Sequence, residues 1–419
     1  MDFATTYLIL AIVFGFFMAW GIGANDVANA MGTSVGSRAL TIVQAVIIAA
    51  IFESAGALLA GGEVTTTIKS GIIDPAMFDG HPDVLVYGML ASLLAAGTWL
   101  LVACYFGWPV STTHSIVGSL IGVGVVAVSA DAVRWSEIVA IMGSWVITPF
   151  ISGLIAFFTF SSIQRFIFNQ PNPVESAKRY LPIYVFIVTL AISLVTFIKG
   201  LTHTGLTWSL ETRIISSFIF SILIALLSKV LLSRVKSDPH DDDNFHFTRL
   251  EKLFGILMIF TACSMAFSHG SNDVANAIGP VSAIVSILNT SGGVASKVAV
   301  PFWVLLLGAV GIVTGLAMYG YRVIATIGKH ITEMTPSRGF SAELATVITV
   351  IVASGTGLPI STTQTLVGAV LGVGMARGIG ALNMNVIRGI FLSWAVTLPV
   401  GAGLAIVFYY LLAGIFSII

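Results

Sequence analysis

The chain has 419 residues, of which 57% are hydrophobic and only 9% charged, and its formal net charge is zero. A soluble chain carries about 25% charged residues, so this one cannot solvate its surface in water, and most of its solvent must be lipid. The charge balance gives no sign of nucleic-acid binding.

A helix needs about 20 apolar residues to cross a bilayer. Hydropathy gives twelve candidate spans: 5–24, 39–61, 84–106, 109–130 and 136–168, then 181–199 and 212–235, then 250–270, 301–326, 340–356, 358–377 and 386–416. The expected fold is therefore an all-α membrane protein of about twelve transmembrane helices. Two spans, 109–130 and 358–377, are rich in Gly and open on a polar tip, and are read as broken or re-entrant helices at the centre. No cleavable signal peptide is evident, because Asp2 opens the chain and no basic region precedes the first apolar run. Cys104 and Cys263 sit in apolar runs and read as packing residues, not as a disulfide or metal pair.

The most polar stretch, SRVKSDPHDDDNFHFTRLEK (233–252), reads as an aqueous loop. Its Pro239 and the solvated run Asp241, Asp242 and Asp243 favour a mobile linker over a folded domain. Loops after odd-numbered spans hold most of the Lys and Arg, among them Arg38, Arg165, Lys178, Arg179, Arg234 and Lys252. Loops after even-numbered spans hold only Lys69, Arg134, Lys199, Arg213 and Lys297. The positive-inside rule then places both termini outside and the central loop in the cytoplasm. The expected location is the plasma (cell inner) membrane.

Two polar motifs recur in order. GANDVANA (23–30) returns as GSNDVANA (270–277), and GWPVSTTHSIVGSLIGVGV (107–125) returns as GLPISTTQTLVGAVLGVGM (357–375). Trp145 with Pro149 is matched by Trp394 with Pro399. An internal duplication is the reading. Seven spans separate the two starts, an odd number, so the copies run oppositely, as in the inverted repeats of many secondary transporters. This depends on 109–130 counting as a crossing. The organisation expected is a first inverted repeat at 1–168, two linking transmembrane helices at 169–235, a cytoplasmic loop at 236–249 and a second inverted repeat at 250–419.

On a helix Asn25, Asp26 and Asn29 share a face, as do Asn272, Asp273 and Asn276. A carboxylate at membrane depth costs about 2.5–3.5 kcal/mol on insertion scales, and neither motif has a Lys or Arg within a turn. Carboxylate and amide oxygens suit a hard cation, Na+ or H+. Gly23, Gly32, Gly270 and Gly279-Pro280 flank the motifs and favour an unwound helix whose carbonyls would add ligands. The second motif reads as an anion site. After Pro109 and Pro359, Ser111, Thr112, Thr113 and Ser361, Thr362, Thr363 each open a helix. They offer free N–H groups, hydroxyls and the positive helix end. Two such tips from inverted halves would face one another and take a tetrahedral oxyanion. The bland alternatives are interhelical glue for the Asn residues and simple capping for the Ser-Thr-Thr tips. Adjacency to Asp and the duplication weigh against both.

Glu53 lies deep in a span with no basic neighbour and is a supporting candidate; Glu343 is a weaker one that could sit at the interface. His114 could relay protons, but Gln364 holds the matching place. His269 reads as a packed histidine with no identifiable partner.

GANDVANAMGTSVGS and HGSNDVANAIGP resemble the paired signature of the inorganic phosphate transporter family, and P-V-S-T-T-H and P-I-S-T-T-Q resemble its second element. The resemblance covers about residues 5–165 and 250–416. It implies import of inorganic phosphate on a cation gradient, through twelve spans in inverted halves. The first motif looks more like sodium-coupled members than proton-coupled bacterial ones, whereas Gln364 departs from the His of sodium-coupled relatives. The expectation is a symporter, not an enzyme. Na+ is the coupling ion at Asn25, Asp26, Asn29, Asn272, Asp273 and Asn276, and no other cofactor is needed. Phosphate would lie at the two Ser-Thr-Thr tips with Asn25 and Asn272. Expected partners are phosphate, Na+ and lipid, with a homodimer as the assembly. The alternatives are H+ coupling, another oxyanion such as sulfate, or an anion channel. An intramembrane hydrolase built on Ser111 or Thr113 with His114 is disfavoured, because no orienting acid is present and the second copy lacks the His.

Overall fold

Backbone polar groups in lipid must be paired within their own segment, which long apolar runs achieve as helix. The computed structural model describes residues 4–78, 80–108, 110–199, 208–234, 243–289, 300–320, 334–378 and 384–418, and these contain helix and no strand beyond one isolated bridge, Ile73 to Val133. Pro109, Pro239, Asp241 and Asp242, and the side chains of Asn29 and Asp243, lie outside the described residues.

The first half holds α1 (Ala4–Asn25), α2 (Val27–Gly36), α3 (Ile42–Ala60), α4 (Gly62–Ser70), α5 (Pro82–Phe106), α6 (Thr112–Ala127) and α7 (Trp135–Ile163). Helices α8 (Pro173–Ile198) and α9 (Leu210–Ser233) pack on each other. The second half holds α10 (Asp243–Asn289), α11 (Phe302–Gly315), α12 (Pro336–Gly355), α13 (Thr362–Arg377) and α14 (Met384–Ile418).

Ten helices among the described residues are long and apolar enough to cross a membrane, where twelve were expected. The shortfall lies in α6 and α13, of 16 residues each. At 1.5 Å per residue each reaches about 24 Å, short of a hydrocarbon core of about 30 Å. Both are arms of hairpins. Helix α5 runs parallel to α1, with Tyr7 Oη 3.0 Å from Tyr87 Oη near one end and Asn25 Nδ2 3.1 Å from the Trp108 carbonyl at the other. It therefore ends at the depth where α1 gives way to α2. Helix α6 then returns beside α5, with Gly88 opposite Val123. Helices α12 and α13 repeat this against α10: Thr261 meets Glu343 and Asn272 meets the Leu358 carbonyl.

Helix α5 is itself long enough to cross, so the sense of the repeats is read from contacts between the halves. Gly15 faces Val281, while Asp26 lies with Asp273 and His269, so α1 and α10 are antiparallel and the repeats are inverted. The halves also interlock. Helix α6 packs on α14 and α13 on α7, and α1 packs on α11 and α3 on α10.

Glycines set these approaches. A Cβ on Gly23 would overlap the Ile312 carbonyl group, and one on Gly270 would overlap that of Glu53; Gly315 against Trp20 and Gly56 against Phe267 complete the pseudo-symmetric set. Gly118 and Gly122 approach the backbone of Leu398 and Ala402, and Gly368 and Gly372 that of Pro149 and Gly153. In lipid, such small-residue seams let helices pack backbone to backbone.

Two local expectations are corrected. Unwinding at the Asn-Asp motifs is confined to a single turn residue, Asp26, between α1 and α2. The second motif lies inside α10, which continues through Gly270, Gly279 and Pro280 and past the expected end at 270. There the glycines serve close packing: Gly270 sits against Glu53 and Gly279 against Ile68 and Lys69. The stretch after α3, read as a loop, contains α4. Its threonines return hydroxyl bonds to the helix (Thr65 to the Gly61 carbonyl, 2.6 Å; Thr66 to that of Gly62, 3.1 Å), and Thr67 donates to the Gly357 carbonyl at 2.7 Å.

Candidate functional site

The two hairpin tips meet. Thr113 Oγ1 donates to the Ile360 carbonyl at 2.9 Å, so the N-termini of α6 and α13 converge from opposite sides. Ser111 and Ser361 are the N-caps, each accepting from the backbone N–H three residues on (His114 and Gln364, 3.3 Å). That leaves the Thr hydroxyls to face the motifs. Thr362 Oγ1 donates to Asp273 Oδ2 at 2.8 Å and Thr363 Oγ1 to Asp26 Oδ1 at 3.3 Å; Thr112 also bonds Asp26. Asn276 Nδ2 lies 3.2 Å from both Thr112 Oγ1 and Thr113 Oγ1. Each acid is thus tied to the α13 tip, and Asp26 and Asn276 also to the α6 tip.

The asparagines pin the tips in matching ways. Asn25 Nδ2 donates to the Trp108 carbonyl and approaches Cys104 Sγ at 3.6 Å. Asn272 sits between Ser354 Oγ, 3.1 Å away, and the carbonyls of Leu358 and Ile360. In the orientation that sets donors against acceptors, its nitrogen donates to Asp273 Oδ1 and Ile360 O, each at 3.1 Å. Two amide oxygens in this cluster, Asn25 Oδ1 and Asn276 Oδ1, are buried without a hydrogen-bond partner among the described residues. Asn25, Asp26, Asn272, Asp273, Asn276 and all six Ser-Thr-Thr residues are buried.

His269 is corrected outright. Its Nε2 lies 2.7 Å from Asp273 Oδ2 and its Nδ1 3.1 Å from Glu53 Oε1, with all three residues buried. One ligand atom each from Asp26, His269 and Asp273 fall within 4.8 Å of one another. The sequence signal was faint: His269 precedes Asp273 by one helical turn, but Glu53 belongs to α3, and only packing of α3 on α10 joins them. Glu53 therefore reaches the acids through His269.

Glu343 is shielded by other helices. It is fully buried, accepting from Thr33 Oγ1 at 2.6 Å, Ser34 Oγ at 2.5 Å and Thr261 Oγ1 at 2.5 Å, apart from the tips. His114 and Gln364 meet across the two halves, with the His114 ring 3.8 Å from that of Trp145. They face a cavity of about 670 Å³ between α6, α7, α13 and α14 whose lining does not include the acids.

Two opposed helix starts, threonine hydroxyls and flanking carboxylates are groups whose chemistry suits an oxyanion beside a compensating cation. Residues 22–405 match the phosphate transporter family, and the chain belongs to it. It is accordingly a multi-pass membrane transporter and not an enzyme. A Haemophilus influenzae protein that carries the name of a phosphate permease is 54% identical over 408 residues, covering 97% of each chain. The chloroplastic inorganic phosphate transporter 2-1 of Arabidopsis thaliana is 46% identical over 426 residues, covering 97% of this chain and 72% of its own. A solved structure titled the sodium-dependent phosphate transporter superposes with a TM-score of 0.91 at 39% identity, over 97% of this chain and 99% of that one.

Proposed function

We propose that this protein imports inorganic phosphate together with Na+ by alternating access. The observation that carries the reading is the buried cluster itself. Asp26 and Asp273 lie beside the unpartnered oxygens Asn25 Oδ1 and Asn276 Oδ1, and between two converging helix N-termini. Hard oxygen donors with spare lone pairs suit Na+, and helix starts suit the anion. Na+ held at Asp26 and Asp273 neutralises the carboxylates and frees the hydroxyls of Thr112, Thr362 and Thr363 for phosphate. The sodium-dependent title of the structural neighbour supports the same ion. Two Na+ with monovalent phosphate would move one net charge, worth about 2.3 kcal/mol per 100 mV. Because the halves interlock backbone to backbone, the moving bodies each draw helices from both repeats. A homodimer in the plasma membrane, with both termini outside, completes the proposal.

A second reading, H+ coupling, is favoured by the Glu53–His269–Asp273 chain. Radiolabelled phosphate uptake into proteoliposomes, driven by an imposed Na+ or pH gradient with sulfate as competitor, separates the two. Asp26→Asn should abolish coupled uptake while leaving the protein in the membrane. Sodium-driven uptake retained in that variant overturns the ion assignment.

A further inference from the structure

At the opposite end of α2 from Asp26, a cavity of about 600 Å³ is lined by Arg38 and Ala39, by Glu251, Lys252, Gly255, Ile256 and Ile259 of α10, and by Pro336 at the start of α12. We propose that this groove binds an anionic phospholipid, with its headgroup phosphate on Arg38 and Lys252 and an acyl chain along α10.

Three features shape the groove for such a molecule. Lys252, Ile256 and Ile259 are exposed and fall at i, i+4 and i+7, so one helix stripe leads from a cation into an apolar surface. Lys252 stands near the start of Arg249–Asn289, a stretch long and apolar enough to cross a membrane, and in the proposal the cation lies at headgroup level and the isoleucines at acyl depth. Between them Gly255 leaves open room, since a Cβ there would meet nothing within 4 Å. The groove is therefore floored by backbone rather than filled by a side chain.

Charge favours an anion. Glu251 borders the groove with its carboxylate already engaged, accepting from Ser337 N–H at 2.8 Å and Ser337 Oγ at 2.7 Å, where it holds the first turn of α12. Arg38 has φ +63, the one positive φ outside glycine among the described residues. The α2 C-terminus imposes this turn, with the N–H groups of Ala39 and Leu40 both bonding the Ser34 carbonyl. Glycine fits that left-handed position best. The chain instead keeps an arginine there, whose side chain borders the groove.

Among the described lining residues Arg38 and Lys252 outweigh Glu251 by one positive charge, worth about fivefold at a bilayer surface. Purified protein in nanodiscs of phosphatidylcholine with a minority of phosphatidylglycerol, examined by native mass spectrometry, should retain phosphatidylglycerol at least fivefold over its bulk share. Arg38→Gln with Lys252→Gln should remove that preference. Gly255→Leu should lower retention of lipid of either headgroup by filling the acyl track with the charges intact. Wild-type protein with a photoactivatable phosphatidylglycerol should crosslink within residues 255–259, which tests the site without any variant. Inorganic phosphate at millimolar concentration should not displace the lipid. Equal retention of both lipids, crosslinks elsewhere, or release by inorganic phosphate would each overturn the proposal; the last would assign the cations to the free anion instead.

Discussion

Gly270→Ala tests whether the approach of α3 to α10 holds the polar cluster together. The added methyl would overlap the Glu53 carbonyl oxygen and lie 2.8 Å from both its carbonyl carbon and its Cα. Carbon atoms rest at about 3.5–4.0 Å, so α3 must retreat by about 1 Å. The Glu53 Oε1 to His269 Nδ1 ion-pair distance, now 3.1 Å, would stretch toward about 4 Å, the limit of a direct ion pair. Overpacking costs about 1–3 kcal/mol, and weakening a buried ion pair adds up to about 3–5 kcal/mol. Tenfold corresponds to about 1.4 kcal/mol. Gly270→Ala should therefore melt earlier in detergent and take up phosphate at least tenfold more slowly per folded molecule. Two substitutions calibrate it. Gly23→Ala meets the carbonyl group of Ile312, which stands where Glu53 stands in the other half, and should lose stability without losing the polar contact. Gly403→Ala meets nothing within 4 Å and should be neutral or slightly stabilising, since Ala is the better helix former by about 1 kcal/mol. If Gly270→Ala behaves like Gly403→Ala in both assays, the packing argument is wrong.

The hydroxyls at the α13 tip should rank by their distance to the acids. Thr362→Val removes a 2.8 Å donor to Asp273 and Thr363→Val a 3.3 Å donor to Asp26. Sodium-driven uptake should fall more in the first, within the tenfold to hundredfold range of a charge-assisted bond; the reverse order would refute the assignment. Glu53→Gln keeps an acceptor for His269 but removes its charge, so uptake should fall while thermal stability stays near wild type; Glu53→Leu should lose both. Glu343→Ala strips the acceptor from three buried hydroxyls and leaves a cavity. It should lower stability by about 2–5 kcal/mol, read from denaturation of the purified protein.

Much of this protein is written locally in its sequence. Hydropathy alone marks where the long helices lie, because lipid leaves an apolar backbone no option but helix, but not which of them are too short to cross. The duplicated Asn-Asp and Ser-Thr-Thr motifs identify the polar cluster, because charge and hydroxyls are too costly in lipid to sit there idly. Oddness of the crossing count gave the inversion as an expectation, and the antiparallel contacts of α1 with α10 carry it. Tertiary structure decided what depends on partners far along the chain. No helical period reveals that His269 on α10 bridges Asp273 to Glu53 on α3, or that Thr33, Ser34 and Thr261 surround Glu343 from two other elements. Nor could flanking glycines show whether they unwind a helix or bring two together. Glycine permits either, and at Gly270 the neighbouring backbone of Glu53 selects close packing.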